Sequence, residues 1–212
     1  MVSHDDDNPT DRGLLPLPFQ QIKRQLPFKT GQAWRVTQGM GNPKHSHYGQ
    51  YVFSIDFALA GEESPNKIPN PNDNGSACGE PVFATADGNV TWRVDVGGGS
   101  GDKNDFAGPN QLHIPHPWGE AGSHYHFFTG SIDKFIPNNQ GFTPVKRGQQ
   151  VGTVGTLNGC HLHTGVFEFN TSEVSFPGEF SNYDVSDDNG GHWRRIDRGT
   201  PREGQWVRRR PN

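Results

Sequence analysis

The sequence predicts a mainly β domain, a single antiparallel sheet or sandwich-like arrangement with long loops and extended terminal segments. Three observations carry this. Apolar and polar residues alternate in short runs, as strands that bury one face require. No segment carries a helical stripe. The 212 residues include 28 glycines and 17 prolines, which break the chain into many turns without making it low-complexity.

Residues 1–30 are polar, proline-containing and aperiodic, so an extended N-terminal arm over the domain surface is expected, with Leu14-Leu15-Pro16-Leu17-Pro18-Phe19 against the core. Strand periodicity begins at Trp34-Arg35-Val36-Thr37 and continues in residues 51–58 and 81–84. Asp87-Gly88 signals a hairpin turn into a strand over 89–96. Gly97-Gly98-Gly99-Ser100-Gly101 then reads as a loop and a rim of a cleft. Further strands are expected at 111–114, 124–128, 150–154, 161–169 and 173–176, with insertions at 61–78 and 97–109. The main domain therefore spans 31–170. A C-terminal extension, 171–212, is expected to pack on it, although its polar, Gly-rich stretch shows no readable period.

Composition narrows the partners. The length suffices for a buried core in one domain. A formal charge of -4 disfavours nucleic acid or an anionic membrane. The basic clusters are Arg194-Arg195 and Arg208-Arg209-Arg210, of which the second reads as a solvated tail rather than a binding site. No run approaches the roughly 18 apolar residues of a membrane span. Met1-Val2-Ser3-His4-Asp5-Asp6-Asp7 lacks a basic start followed by an apolar run, so no secretory signal is visible. The two cysteines, Cys78 and Cys160, could form one long-range disulfide, a pairing that sequence leaves open.

Chemistry concentrates in three histidine clusters: His45-Ser46-His47 followed by Asp56, His124-Tyr125-His126, and His161-Leu162-His163. Side chains two apart on a strand share a face, so both imidazoles of a His-x-His can enter one cavity. Two His and one Asp around zinc, with a position left for water, make a hydrolytic arrangement: the metal lowers the water pKa and polarises a carbonyl. Each residue also has a bland reading. Asp56, between Ile55 and Phe57, could be a hydrogen-bonded strand carboxylate, and His126 a packed residue in an aromatic stretch. His161 and His163 could both be ligands, and His45 rivals His47. Cys160 adjoins His161, but sequence neighbours on a strand face opposite sides, so a disulfide or buried thiol fits it better than a nucleophile.

Read together and in order over roughly residues 40–169, these motifs resemble the lysostaphin/LytM-type zinc endopeptidases, which cut peptide cross-links of bacterial peptidoglycan. The resemblance lies in His47-Tyr48-Gly49 with Ser54-Ile55-Asp56-Phe57-Ala58, in Gly79-Glu80-Pro81-Val82-Phe83-Ala84-Thr85-Ala86-Asp87-Gly88-Asn89-Val90, in Lys146-Arg147-Gly148-Gln149-Gln150-Val151-Gly152-Thr153-Val154-Gly155, and in His161-Leu162-His163. It implies zinc ligands His47, Asp56 and His163, with His161 and His126 activating water and stabilising the oxyanion. It also implies peptidoglycan peptides as substrate and a secreted or cell-envelope location. Two departures stand out: His124-Tyr125-His126-Phe127 replaces the usual Tyr-x-His-Leu, and Gly159-Cys160 replaces the usual Gly-Pro. A non-catalytic relative serving as a binding or regulatory module is the main alternative. A sugar-binding β-sandwich using its aromatic side chains is a third reading.

Overall fold

The computed structural model describes residues 23–41, 52–59, 77, 79–94, 110–113, 121–123, 126–127, 143–154, 161–168 and 175–211. Among them there is no helix, and every ladder is antiparallel. The strands are β1 (Ala33–Gln38), β2 (Ile55–Ala58), β3 (Pro81–Phe83), β4 (Gly88–Val94), β5 (Asn110–His113), β6 (Ala121–Ser123), β7 (His126–Phe127) and β8 (Thr143–Val145). They continue as β9 (Gln150–Thr153), β10 (Leu162–Thr164), β11 (Val166–Glu168), β12 (Ser175–Phe176), β13 (Phe180–Ser186), β14 (Arg194–Gly199) and β15 (Trp206–Arg209).

The described ladders form four groups rather than one sheet. The largest has six strands in the order β10-β2-β1-β15-β13-β14; beside it are the groups β7-β5-β4-β8, β12-β11-β6 and β3-β9. Two departures from the expected strands have local causes. The run 161–169 divides at Gly165 into β10, which pairs with β2, and β11, which pairs with β6 and β12. A glycine has no side chain to pack and lets one strand change sheets there. Asp87-Gly88 does bend the chain, but β3 and β4 do not pair as a hairpin: β3 joins β9, and β4 joins β5 and β8. The Asp87 carboxylate accepts the Arg147 N–H at 2.8 Å, which ties the bend to the turn between β8 and β9.

The C-terminal residues enter the main sheet directly. β15 lies between β1 and β13, with Trp34 opposite Val207 on one side and Val185 opposite Val207 on the other. Trp206, Val207, Val185, Tyr183 and Phe180 are all buried, so this part supplies core as well as backbone pairing. Asn189 (φ 54°) and Gly190 (φ 84°) reverse the chain between β13 and β14, and Gly204 (φ 83°) turns it into β15. Asp188 accepts the Ser186 hydroxyl at 2.6 Å and the His192 N–H at 2.8 Å, which fixes the first of these turns.

Part of the expected surface arm is interior. Leu26 and Phe28 are 0% exposed. Phe28 stacks on Trp34 at 5.0 Å and meets Phe57 edge-on at 5.4 Å; Phe57 in turn meets Phe180 at 6.2 Å. The segment also bridges strands, because Gln25 N–H donates to the Thr85 carbonyl, Phe83 N–H to that of Pro27, and Ser181 N–H to that of Arg24. Leucine and phenylalanine in an otherwise polar segment thus mark its buried end. Residues 14–19 lie outside the described residues.

Candidate functional site: a histidine–carboxylate cluster on the main sheet

Strand alternation builds the site. In β2, Ile55 and Phe57 are 0% exposed in the aromatic core, which sends Asp56 to the opposite face of the sheet. In β10, Leu162 joins the same core, which sends His163 to the face of Asp56. The register then places Leu162 opposite Phe57, His163 opposite Asp56 and Thr164 opposite Ile55. Directly opposed side chains on one face touch. His163 Nδ1–H donates to Asp56 Oδ1 at 2.8 Å, with both side chains buried.

His161 completes the described part of the cluster. Two residues before His163, its Nε2 lies 3.8 Å from Asp56 Oδ2, and its side chain is 19% exposed against 8% for His163. The two imidazoles therefore approach different oxygens of one carboxylate, and His161 is the more open to solvent. β7, which carries His126, comes within 8 Å of β10 between Cα atoms and pairs with β5 through Gln111 opposite His126.

β1 supports Asp56 from the other side. Arg35 faces Ala58 and Val36 faces Phe57, but it is Gln38 that faces Asp56, so Thr37 is an extra residue in the ladder. Such a bulge bends its strand and re-aims neighbouring side chains. The Thr37 hydroxyl donates to the Asp56 carbonyl at 3.3 Å. Sequence reading passed over Thr37, since no local signal distinguishes an extra residue from a regular one until the partner strand is known.

Of the residues singled out from sequence, Asp56, His161 and His163 are gathered here, and β7 brings the backbone of His126 close. His47, the expected third ligand, lies outside the described residues, as do His45, Cys78, Cys160 and the 97–101 loop. Among the described residues, no group of three or more His, Cys, Asp or Glu side chains is gathered to hold a metal ion. Asp56 and His163 nevertheless fit two corners of a zinc site. Bonds of roughly 2.0–2.2 Å at tetrahedral angles put two donor atoms about 3.3 Å apart, so a pair now at 2.8 Å needs only a small opening. Imidazole nitrogen and carboxylate oxygen are also donors that zinc accepts, once the Nδ1 proton has left. Comparison with protein-family models, curated proteins and solved structures gives no match to this chain.

Proposed function

We propose that the chain is a zinc metalloendopeptidase of the lysostaphin/LytM type, acting on peptide cross-links of bacterial peptidoglycan in the cell envelope or outside the cell. The observation that supports this best is the direct opposition of Asp56 and His163 on β2 and β10, with His161 closing on the same carboxylate. A carboxylate and two imidazoles meeting on one sheet face are more than a strand needs for stability, since each polar group brought there loses water.

In this reading Asp56 and His163 hold the metal, with His47 as the third ligand. Zinc, when bound, would supply Lewis acidity toward a carbonyl and a lowered pKa for water. His161, more exposed and outside the tight Asp56–His163 hydrogen bond, takes and returns a proton at Nε2. His126 is assigned to the developing oxyanion. The aromatic core beneath Asp56 and His163 keeps the supporting strands rigid, which ligand placement requires. No described helix is long and apolar enough to cross a membrane.

The test pairs metal analysis of the purified chain with lysis of cell walls, with and without chelator. Mass spectrometry of the released fragments names the scissile bond through its new termini. Zinc at one equivalent with chelator-sensitive lysis supports the reading. Wall binding without cleavage would instead identify a non-catalytic module.

A further inference from the structure

We infer that Thr37 is a positioning residue for Asp56, clamped in place by the turn that leads into β15. The inference rests on reading Asp56 as a metal ligand. Thr37 is exposed and touches no reacting group, yet it is the extra residue that shifts β1 from facing Asp56 with Thr37 to facing it with Gln38. Its hydroxyl reaches the Asp56 carbonyl at 3.3 Å and so takes up a backbone acceptor at the point where the ladder is interrupted. Asp56 is then fixed from both sides, by the bulge on β1 and by His163 on β10.

The bulge is itself gripped from behind. Val36 N–H donates to the Gln205 carbonyl at 2.8 Å, and Gly204 N–H donates back to the Val36 carbonyl at 2.9 Å. One step beyond the bulge, Gly39 N–H donates to Glu203 Oε2 at 3.3 Å. At Gly39 a Cβ would lie 2.9 Å from the Glu203 nitrogen, so glycine is what lets the two backbones come this close. A continuous path therefore runs from residues 203–205 through the Val36 backbone and the Thr37 hydroxyl to the Asp56 carbonyl. It gives the C-terminal strands a role at a site they do not line.

Thr37→Val keeps the shape and removes the hydroxyl, while Thr37→Ser keeps the hydroxyl. Two readouts are taken: zinc affinity by competition with a chromophoric chelator, and the ring nitrogen shifts of His163 in metal-free protein, which report its bond to Asp56. Thr37→Val should weaken zinc binding about 10-fold, the low end for losing a group that orients a ligand, and should move the His163 signals. Thr37→Ser should restore both. Zinc affinity within about twofold of the unaltered chain, or unmoved His163 signals, would overturn the inference. If the unaltered chain binds no zinc and Thr37→Val still moves the His163 ring, the metal reading fails and the positioning role stands. Neither variant alters a core side chain, so both should fold.

Discussion

His163 and Asp56 are 107 positions apart in sequence and form a direct cross-strand pair, Nδ1 to Oδ1 at 2.8 Å. The proposed division of labour follows from that pairing. His161 stands at 3.8 Å on the other carboxylate oxygen, close enough to share the site and too far to share the bond.

The two histidines should therefore respond differently to substitution. His163→Ala is expected to abolish zinc binding and wall lysis together. His161→Ala is expected to retain near-stoichiometric zinc and to lose about 10²–10⁴-fold in lysis rate, the usual contribution of a positioned acid or base. Metal content and turbidity assays on both variants check this. Full activity in His161→Ala would remove that residue from the mechanism.

Packing under the site gives a second expectation. Phe57 is 0% exposed, contacts Phe28 and Phe180 edge-on, and neighbours Asp56 in β2. Phe57→Ala should cost about 3–5 kcal/mol of unfolding free energy, the range for deleting a buried aromatic ring. Urea titration measures it. A loss below about 1 kcal/mol would mean that the core around β2 collapses to fill the space.

Gly178 should tolerate no side chain. A Cβ there would overlap the Arg24 guanidinium and lie 2.8 Å from Val166 Cγ2. Arg24 is held 4.8 Å above the Phe180 ring and its carbonyl accepts from Ser181, so it has little room to retreat. Gly178→Ala is expected to destabilise by about 1–3 kcal/mol, as overpacking does. Thermal unfolding of the variant measures it, and a loss below about 0.5 kcal/mol would show that Arg24 and Val166 move aside at little cost.

Asp184 links stability to pH. Burial raises its pKa, but hydrogen bonds from Arg210 and Arg208, at 2.8 and 2.9 Å, together with their charges, outweigh burial and hold it below the ordinary carboxylate value. A carboxylate whose folded pKa is depressed contributes stability above its unfolded pKa of about 3.9, and loses it as pH falls through the lower folded value. Both arginines are partly exposed, so the pair is screened, and Asp184→Asn should cost about 1–2 kcal/mol near neutrality. The gap between Asp184→Asn and the unaltered chain should close as pH drops from about 5 toward 2. Urea midpoints across that range measure it; a gap independent of pH would show that the ion pair is not its source.

The alternation in Ile55-Asp56-Phe57 and Leu162-His163 made both site strands and the inward His-x-His face legible in the sequence, because one apolar face constrains every second residue. Register was not legible, since nothing local says which of several strands lies opposite Asp56. The bulge at Thr37 was hidden for the same reason. The C-terminal strands escaped notice for a different one. Arg194–Gly199 is an edge strand whose side chains are mostly exposed, so it needs no apolar stripe. β13 buries the polar Asp184 and Ser186 and half-buries Ser181 and Asn182, and Asn182 (φ 56°) interrupts its period. Polar side chains bonded within the fold, Asp184 by Arg208 and Arg210, Ser181 to the Arg24 carbonyl and Asn182 to that of Pro211, look like a loop in sequence.

The strand order has a consequence for how the molecule is made. β1 is synthesised well before its partner β15, residues 206–209, and among the described strands β13 and β14 join the sheet through β15. Until those residues are available, the edge of β1 away from β2 has no partner among the described strands. Such long-range pairing is slow, and unpaired edges invite association. A nascent chain must therefore wait, open and adhesive, for β15 before the sheet that carries Asp56 can close.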